Sequence, residues 1–149
     1  ARGSDRDVRA VLRLALLTAL VIAATTYAAV ALAAEPLALA FNRDNDPQLT
    51  ALAVDGMRVY FLGYFFAGAN IVAAAFFSAV EKPAYGLAIS IVRGLPAILA
   101  FAAVLAALFG MAGVWATFPA AEAATFALTA VLLVRFVHGP RRRDREVVA

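Results

Sequence analysis

Four stretches of this chain stay apolar for longer than a soluble core can bury, and two of them carry a single charged side chain near the middle. The stretches cover about 11–34, 48–80, 84–108 and 114–137. Each meets or exceeds the roughly 20 residues a helix needs to cross the ~30 Å hydrocarbon core of a bilayer. Barrel strands alternate apolar and polar residues over pieces of about ten residues, and these runs do not alternate. The expected fold is therefore all-α: a polytopic membrane bundle of four transmembrane helices. Of the 149 residues, 64% are hydrophobic and only 15% are charged, against about 25% charged in soluble domains. The first segment has an arginine-rich start and an Ala31-Leu32-Ala33 element, as a signal peptide does. Its apolar part, 14–34, is longer than the ~7–15 residues of a signal core, so it reads as a span.

The punctuation between the runs sets their ends. Glu35-Pro36 is expected to stop the first helix, and Asn42-Arg43-Asp44-Asn45-Asp46-Pro47 reads as the one sizeable polar loop. Glu81-Lys82-Pro83 breaks the second, Phe109-Gly110-Met111-Ala112-Gly113 forms the next turn, and His138-Gly139-Pro140 stops the fourth. No linker or internal repeat divides residues 1–149, and a chain that begins at Ala1 reads as processed or as a piece of a longer protein.

The net charge of +3 is concentrated at the ends. Arg2, Arg6, Arg9 and Arg13 flank the first helix, and Arg135, Arg141, Arg142, Arg143 and Arg145 flank the last. Glu35, Asp44 and Asp46 lie in or beside the long loop. The positive-inside rule then puts both termini in the cytoplasm, with Lys82 on the same side, in the plasma membrane. The basic ends suit a membrane surface. No basic groove is available for nucleic acid.

Arg93 and Glu122 are about ten residues inside their segments, ~15 Å from the nearer end. An ionisable residue there costs roughly 2.5–3.5 kcal/mol on insertion scales. Asn70 falls at about the same depth. Three polar side chains from three spans at one level are compatible with two readings. One is a structural ion pair with Asn70 bonding a neighbouring helix; the other is a midplane transport site. Pro96 follows Arg93 by one turn and Pro119 precedes Glu122 by one turn. As interior prolines they free the carbonyls of Val92 and Trp115, producing either a hinge or a static kink. Tyr60, Phe61, Tyr64, Phe65 and Phe66 form an aromatic group, which suits either a cation-binding wall or an interfacial belt. There are no cysteines, no metal-ligand cluster, no nucleophile–histidine pair and no phosphate loop. No enzyme chemistry, metal or cofactor is therefore expected.

Gly86-Leu87-Ala88-Ile89-Ser90-Ile91-Val92-Arg93-Gly94-Leu95-Pro96, then Leu108-Phe109-Gly110-Met111-Ala112-Gly113-Val114-Trp115 and Pro119-Ala120-Ala121-Glu122, resemble the multidrug and toxic compound extrusion (MATE) family. Gly68-Ala69-Asn70 and Phe76-Phe77-Ser78-Ala79 are similar to its tenth helix, and Leu39-Ala40-Phe41-Asn42-Arg43-Asp44 to the segment after its ninth. The ordered set covers most of the chain. The resemblance implies helices nine to twelve of a twelve-helix, two-lobe antiporter that exports organic cations and other drugs against sodium ions or protons. It places Asn70 and Tyr64 on the substrate path. The 63–70 stretch lacks the carboxylate that some branches carry, so no coupling-ion ligand is assigned in this chain. The implied partners are the bilayer, small organic cations and the remaining helices of the same transporter. Two other readings stand beside it: a lipid-linked polysaccharide flippase of the same superfamily, and a non-transporting four-helix membrane subunit.

Overall fold

In the computed structural model, residues 5–138 are described, with side chains over 7–136, and none of these residues is in a strand. They form six helices: α1 (Asp5–Phe41), α2 (Pro47–Phe61), α3 (Gly63–Ala79), α4 (Pro83–Arg93), α5 (Leu95–Phe109) and α6 (Met111–His138). Together they make four helices long and apolar enough to cross a membrane, because α2 with α3 and α4 with α5 each form one span. Gly139, Pro140 and Arg141, Arg142, Arg143 and Arg145 lie outside the described residues, as does Arg2.

The first helix does not stop at Glu35-Pro36. It continues to Phe41 with Pro36 inside it. The missing N–H removes a single bond, to the Leu32 carbonyl, on a side where Leu32 and Pro36 are both exposed. On the opposite side Ala34, Ala38 and Asn42 are buried at four-residue spacing, and α1 packs along α2 and α3. Packing of that stripe carries the helix past the proline. The end is built by Asn42, whose Nδ2 donates to the Asp46 carbonyl (2.7 Å) and to Thr50 Oγ1 (2.9 Å). Asp46 then caps α2, its carboxylate accepting from the Gln48 and Leu49 amides.

The second span is tightened at Leu62. That residue keeps helical dihedrals, but its amide bonds Val59 O, three residues back. The irregularity falls where Gly63 meets the Phe118 ring and the Pro119 backbone, a space no Cβ could share. Beyond Ala79 the chain turns at Glu81, in the left-handed region (φ 59°). The Lys82 amide reaches back to Phe77 O at 2.8 Å, a Schellman-type end, and Pro83 opens α4.

The third span breaks at Gly94, whose ψ of −142° ends α4 and redirects the chain. Pro96 therefore does not kink a continuous helix. It sits in the first turn of α5, where its absent N–H has no partner to lose. Gly110 alone, at φ 58°, reverses the chain between α5 and α6, so the expected five-residue turn shrinks to one. Such a turn forces the two helices together, and a Cβ on Gly113 would run into the Leu105 carbonyl. Pro119 remains inside an unbroken α6.

The sixth helix is the hub, packing on α2, α3, α4 and α5, whereas α1 touches only α2 and α3. Phe77, Ile89, Ala73 and Leu132 form an apolar cluster where α3, α4 and α6 meet. No residue of α5 is buried. Replacing Gly113 with alanine is expected to destabilise the full-length protein by about 1–3 kcal/mol, the usual range for overpacking. Thermal unfolding in detergent, followed by tryptophan fluorescence, measures this. An unchanged midpoint would show that α5 and α6 do not approach this closely.

Candidate polar site between α3, α4 and α6

The Glu122 carboxylate sits on the inner face of α6, and its side chain is only 4% exposed. Arg93, the last residue of α4, donates to Oε1 through Nη2 (2.8 Å) and Nε (3.2 Å). Asn70 of α3 donates through Nδ2 to Oε2 (2.8 Å) and to the Glu122 backbone carbonyl (3.0 Å). Its Oδ1 accepts from the Thr129 hydroxyl at 2.8 Å. An ionised carboxyl accepts only, and a guanidinium donates only. The arrangement therefore satisfies the charge with three side-chain N–H groups from two other helices.

The order of dependence runs outward from Thr129. Its donated hydrogen bond holds the Asn70 amide with the oxygen toward α6 residue 129 and both N–H groups toward Glu122. The amide then fixes Oε2 and leaves Oε1 for Arg93. Asn70, Thr125 and Thr129 have no exposed surface at all. Thr125 and Thr117 return their hydroxyls to their own helix, at Ala121 O and Gly113 O. The Arg93 side chain is 27% exposed. The pair is thus asymmetric, with a sealed carboxylate and a guanidinium at the edge.

The structure brings Asn70, Arg93 and Glu122 together, and it leaves Tyr64 outside the network. Asn70 is fully buried between α3 and α6. Its place is behind the carboxylate. Tyr64 is 38% exposed. It stacks on Phe61 (centroids 5.0 Å apart) and meets Phe118 edge-on (5.8 Å), while Tyr60 stacks on the same Phe118 at 4.6 Å. Phe65 instead pairs with Tyr27 of α1, and Phe66 with Phe126 of α6. The aromatic run therefore divides its contacts between α1 and α6. The part beside Pro119 forms a wall of Tyr60, Phe61, Tyr64 and Phe118.

Two features escape sequence reasoning. Thr129 carries no motif, and only its seven-residue spacing from Glu122, two helical turns along one face, marks it. Trp115 packs its indole against Gly56, and its Nε1 is buried without a partner among the described residues. Away from the network, a cavity of about 560 Å³ opens between α1 and α2, lined by Glu35, Asn45, Thr50, Asp55 and Arg58 among others.

Spans of this length around a buried charged network define an integral membrane protein. The MatE family model matches residues 2–104, well over half of the chain, and the chain belongs to that family. No curated protein and no solved structure matches it. The family's members are transporters rather than enzymes, so the chain is part of a MATE-type membrane transporter. The matched stretch covers Asn70 and Arg93 and ends within α5. Glu122 and Thr129 lie beyond it, and their place in the site rests on their contacts.

Arg93→Met strands a buried carboxylate and is expected to cost toward the lower end of ~3–5 kcal/mol, since Arg93 is part exposed. The double variant Arg93→Met/Glu122→Met removes both charges and is expected to cost less than either single one. Unfolding midpoints of the four proteins in detergent give the coupling, and strictly additive losses would mean that the two residues do not interact.

Proposed function

We propose that the chain is the C-terminal portion, helices nine to twelve, of a twelve-helix antiporter. It exports small organic cations in exchange for sodium ions or protons by alternating access. The observation that carries this reading is a buried Arg93–Glu122–Asn70–Thr129 network placed where one span is broken at Gly94. Polar groups at depth and discontinuous helices are the hallmarks of transporter sites. The exposed apolar surfaces of α1 and α5 suit contact with lipid and with the remaining helices of the transporter. The arginine distribution supports a plasma-membrane protein with both termini cytoplasmic.

Within this reading the aromatic wall beside Pro119 is the part of the chain that touches cargo, through Tyr64. Asn70 acts indirectly, by aiming the Glu122 carboxylate. A lipid-linked polysaccharide cargo carries phosphates and calls for free cationic donors. The network offers one cation, Arg93, already paired with Glu122 in this structure, and a single guanidinium is a poor match for a phosphate-bearing cargo, which favours organic cations.

Cells expressing the full-length protein test the proposal by ethidium efflux. Asn70→Ala is expected to abolish efflux while the protein still reaches the membrane, and unchanged efflux would remove Asn70 from the mechanism. Tyr64→Ala is expected to weaken ethidium binding by about 0.5–2 kcal/mol, the range of a cation–π contact, with Tyr64→Phe close to wild type. Equal losses for both substitutions would assign Tyr64 a different role.

A further inference from the structure

We propose that Glu122 is a proton-binding site and that Arg93 is the tethered cation that fills it while the proton is absent. The proposal rests on the transporter reading above and names its coupling ion. Its first support is the difference in exposure: the carboxylate is 4% exposed and the guanidinium 27%. Of the two partners, only Arg93 has a way out. Its second support is the position of Arg93 at a joint. The helix it ends, α4, packs on α3 and α6, whereas α5 beyond Gly94 packs only on α6 and α4. The guanidinium stands at the end of α4 beside that break, so its long side chain can swing away from Glu122 while α4 stays on α3 and α6, and the charge it then carries acts on the Gly94 joint and on α5 beyond it.

Withdrawal has a charge requirement. Without Arg93, Glu122 keeps one neutral donor, the Asn70 amide, and a buried anion held that way is strongly disfavoured. A proton taken onto Oε1 removes the problem. The carboxylate and one proton become a neutral carboxylic acid, and no other bond is made or broken. Arg93 keeps its own proton, because a guanidinium is not deprotonated in proteins. The site changes from net neutral to a single positive charge, carried by Arg93 toward its exposed side.

The surroundings favour a proton over a metal cation. Hard cations such as sodium are bound by a shell of oxygens. The groups turned toward the Glu122 carboxylate are N–H donors, and the Asn70 amide oxygen is turned away to Thr129. The same Thr129 bond that orients Asn70 thus withholds an oxygen ligand. Among the described residues, no titratable group other than Arg93 is hydrogen-bonded or ion-paired to the carboxylate. Among the helices packed on α6, α2 carries Asp55, Arg58 and Tyr60, α3 only Tyr64, α4 Tyr85 and Arg93, and α5 none. Along α6, Arg135 is more than three turns away.

The test uses the full-length protein in proteoliposomes, with ethidium as the probe and imposed pH or sodium gradients. Spin labels on Ile71→Cys of α3 and Leu99→Cys of α5, both exposed positions, report the movement by distance measurement across pH. In the wild type, a pH gradient is expected to drive ethidium, and the label distance is expected to differ between acid and alkaline conditions. In Glu122→Gln, the distance is expected to stay at the wild-type acid value at every pH, and pH-driven flux to fall to that of protein-free vesicles. Arg93→Gln/Glu122→Gln, neutral at both positions, is expected to lose the pH response too and serves if the single variant does not fold. A pH-dependent distance that survives in Glu122→Gln or in the double variant overturns the proposal. Wild-type flux driven only by sodium, with a distance insensitive to pH, overturns the proton assignment and leaves the antiporter reading intact. Conversely, a pH response abolished by Glu122→Gln with no ethidium movement under either gradient supports the proton site and defeats the efflux reading.

Discussion

A carboxylate placed in hydrocarbon must be both neutralised and fully hydrogen-bonded, and Glu122 imposes that requirement on three helices at once. Arg93 must arrive from α4 with two N–H groups, and Asn70 from α3 with one, or the charge is left bare. Thr129 then has to hold Asn70 in the one amide orientation that presents donors to Glu122. None of these residues can be placed independently of the others. Polar satisfaction at Glu122 therefore fixes the register of α3, α4 and α6, beside the apolar cluster of Phe77, Ile89, Ala73 and Leu132 that the same three helices bury.

This inverts the usual logic of a core. In lipid, apolar side chains gain little by leaving the surface, and helices associate through close packing and polar contacts. The helix α6 accordingly buries Thr117, Ala121, Glu122, Thr125 and Thr129 with one large apolar residue, Leu132, while the wholly apolar α5 buries nothing. Glycines let the backbones approach: Gly63 against Pro119, Gly86 against the Ala74 carbonyl, and Gly113 against Leu105. Among the described residues, the sizeable apolar cluster, around Phe77 and Ile89, lies beside the turn that joins α3 to α4.

The number and order of the spans are legible because twenty-residue apolar runs have few alternatives. The shared depth of Arg93, Glu122 and Asn70 follows from counting residues along helices. The proline positions mislead. Pro36 marks a plausible stop, yet the Ala34, Ala38 and Asn42 stripe packs well enough to carry α1 through it. Pro96 has the composition of a kink, yet the break belongs to Gly94, because a backbone that must leave the helical region there is cheapest at a residue without a Cβ. Asn70 carries no mark in the sequence that shows which helix face it lies on. That face is set by the rotation of α3 about its own axis, which is decided by where Glu122 and Thr129 fall on the facing helix. Thr129 is illegible for the same reason, being one of several threonines on α6 until Asn70 selects it.

Stability by itself gives little reason for such a network. A buried ion pair replaced by well-packed apolar residues is often as stable or more so, whereas losing one partner is strongly destabilising. An arrangement that gains little from being intact and loses much from being half broken suits an element with two discrete states, each complete. The surroundings of Arg93 fit that description. Its helix is held by α3 and α6, the next helix departs in another direction after one residue, and its own side chain is the least buried member of the network. A purely structural pair has no need of a joint beside it. In the proposed proton site, a joint beside the cation of the network would let the charge state at Glu122 bias the direction of a whole span, the kind of differential contact by which a bound ion shifts a two-state equilibrium.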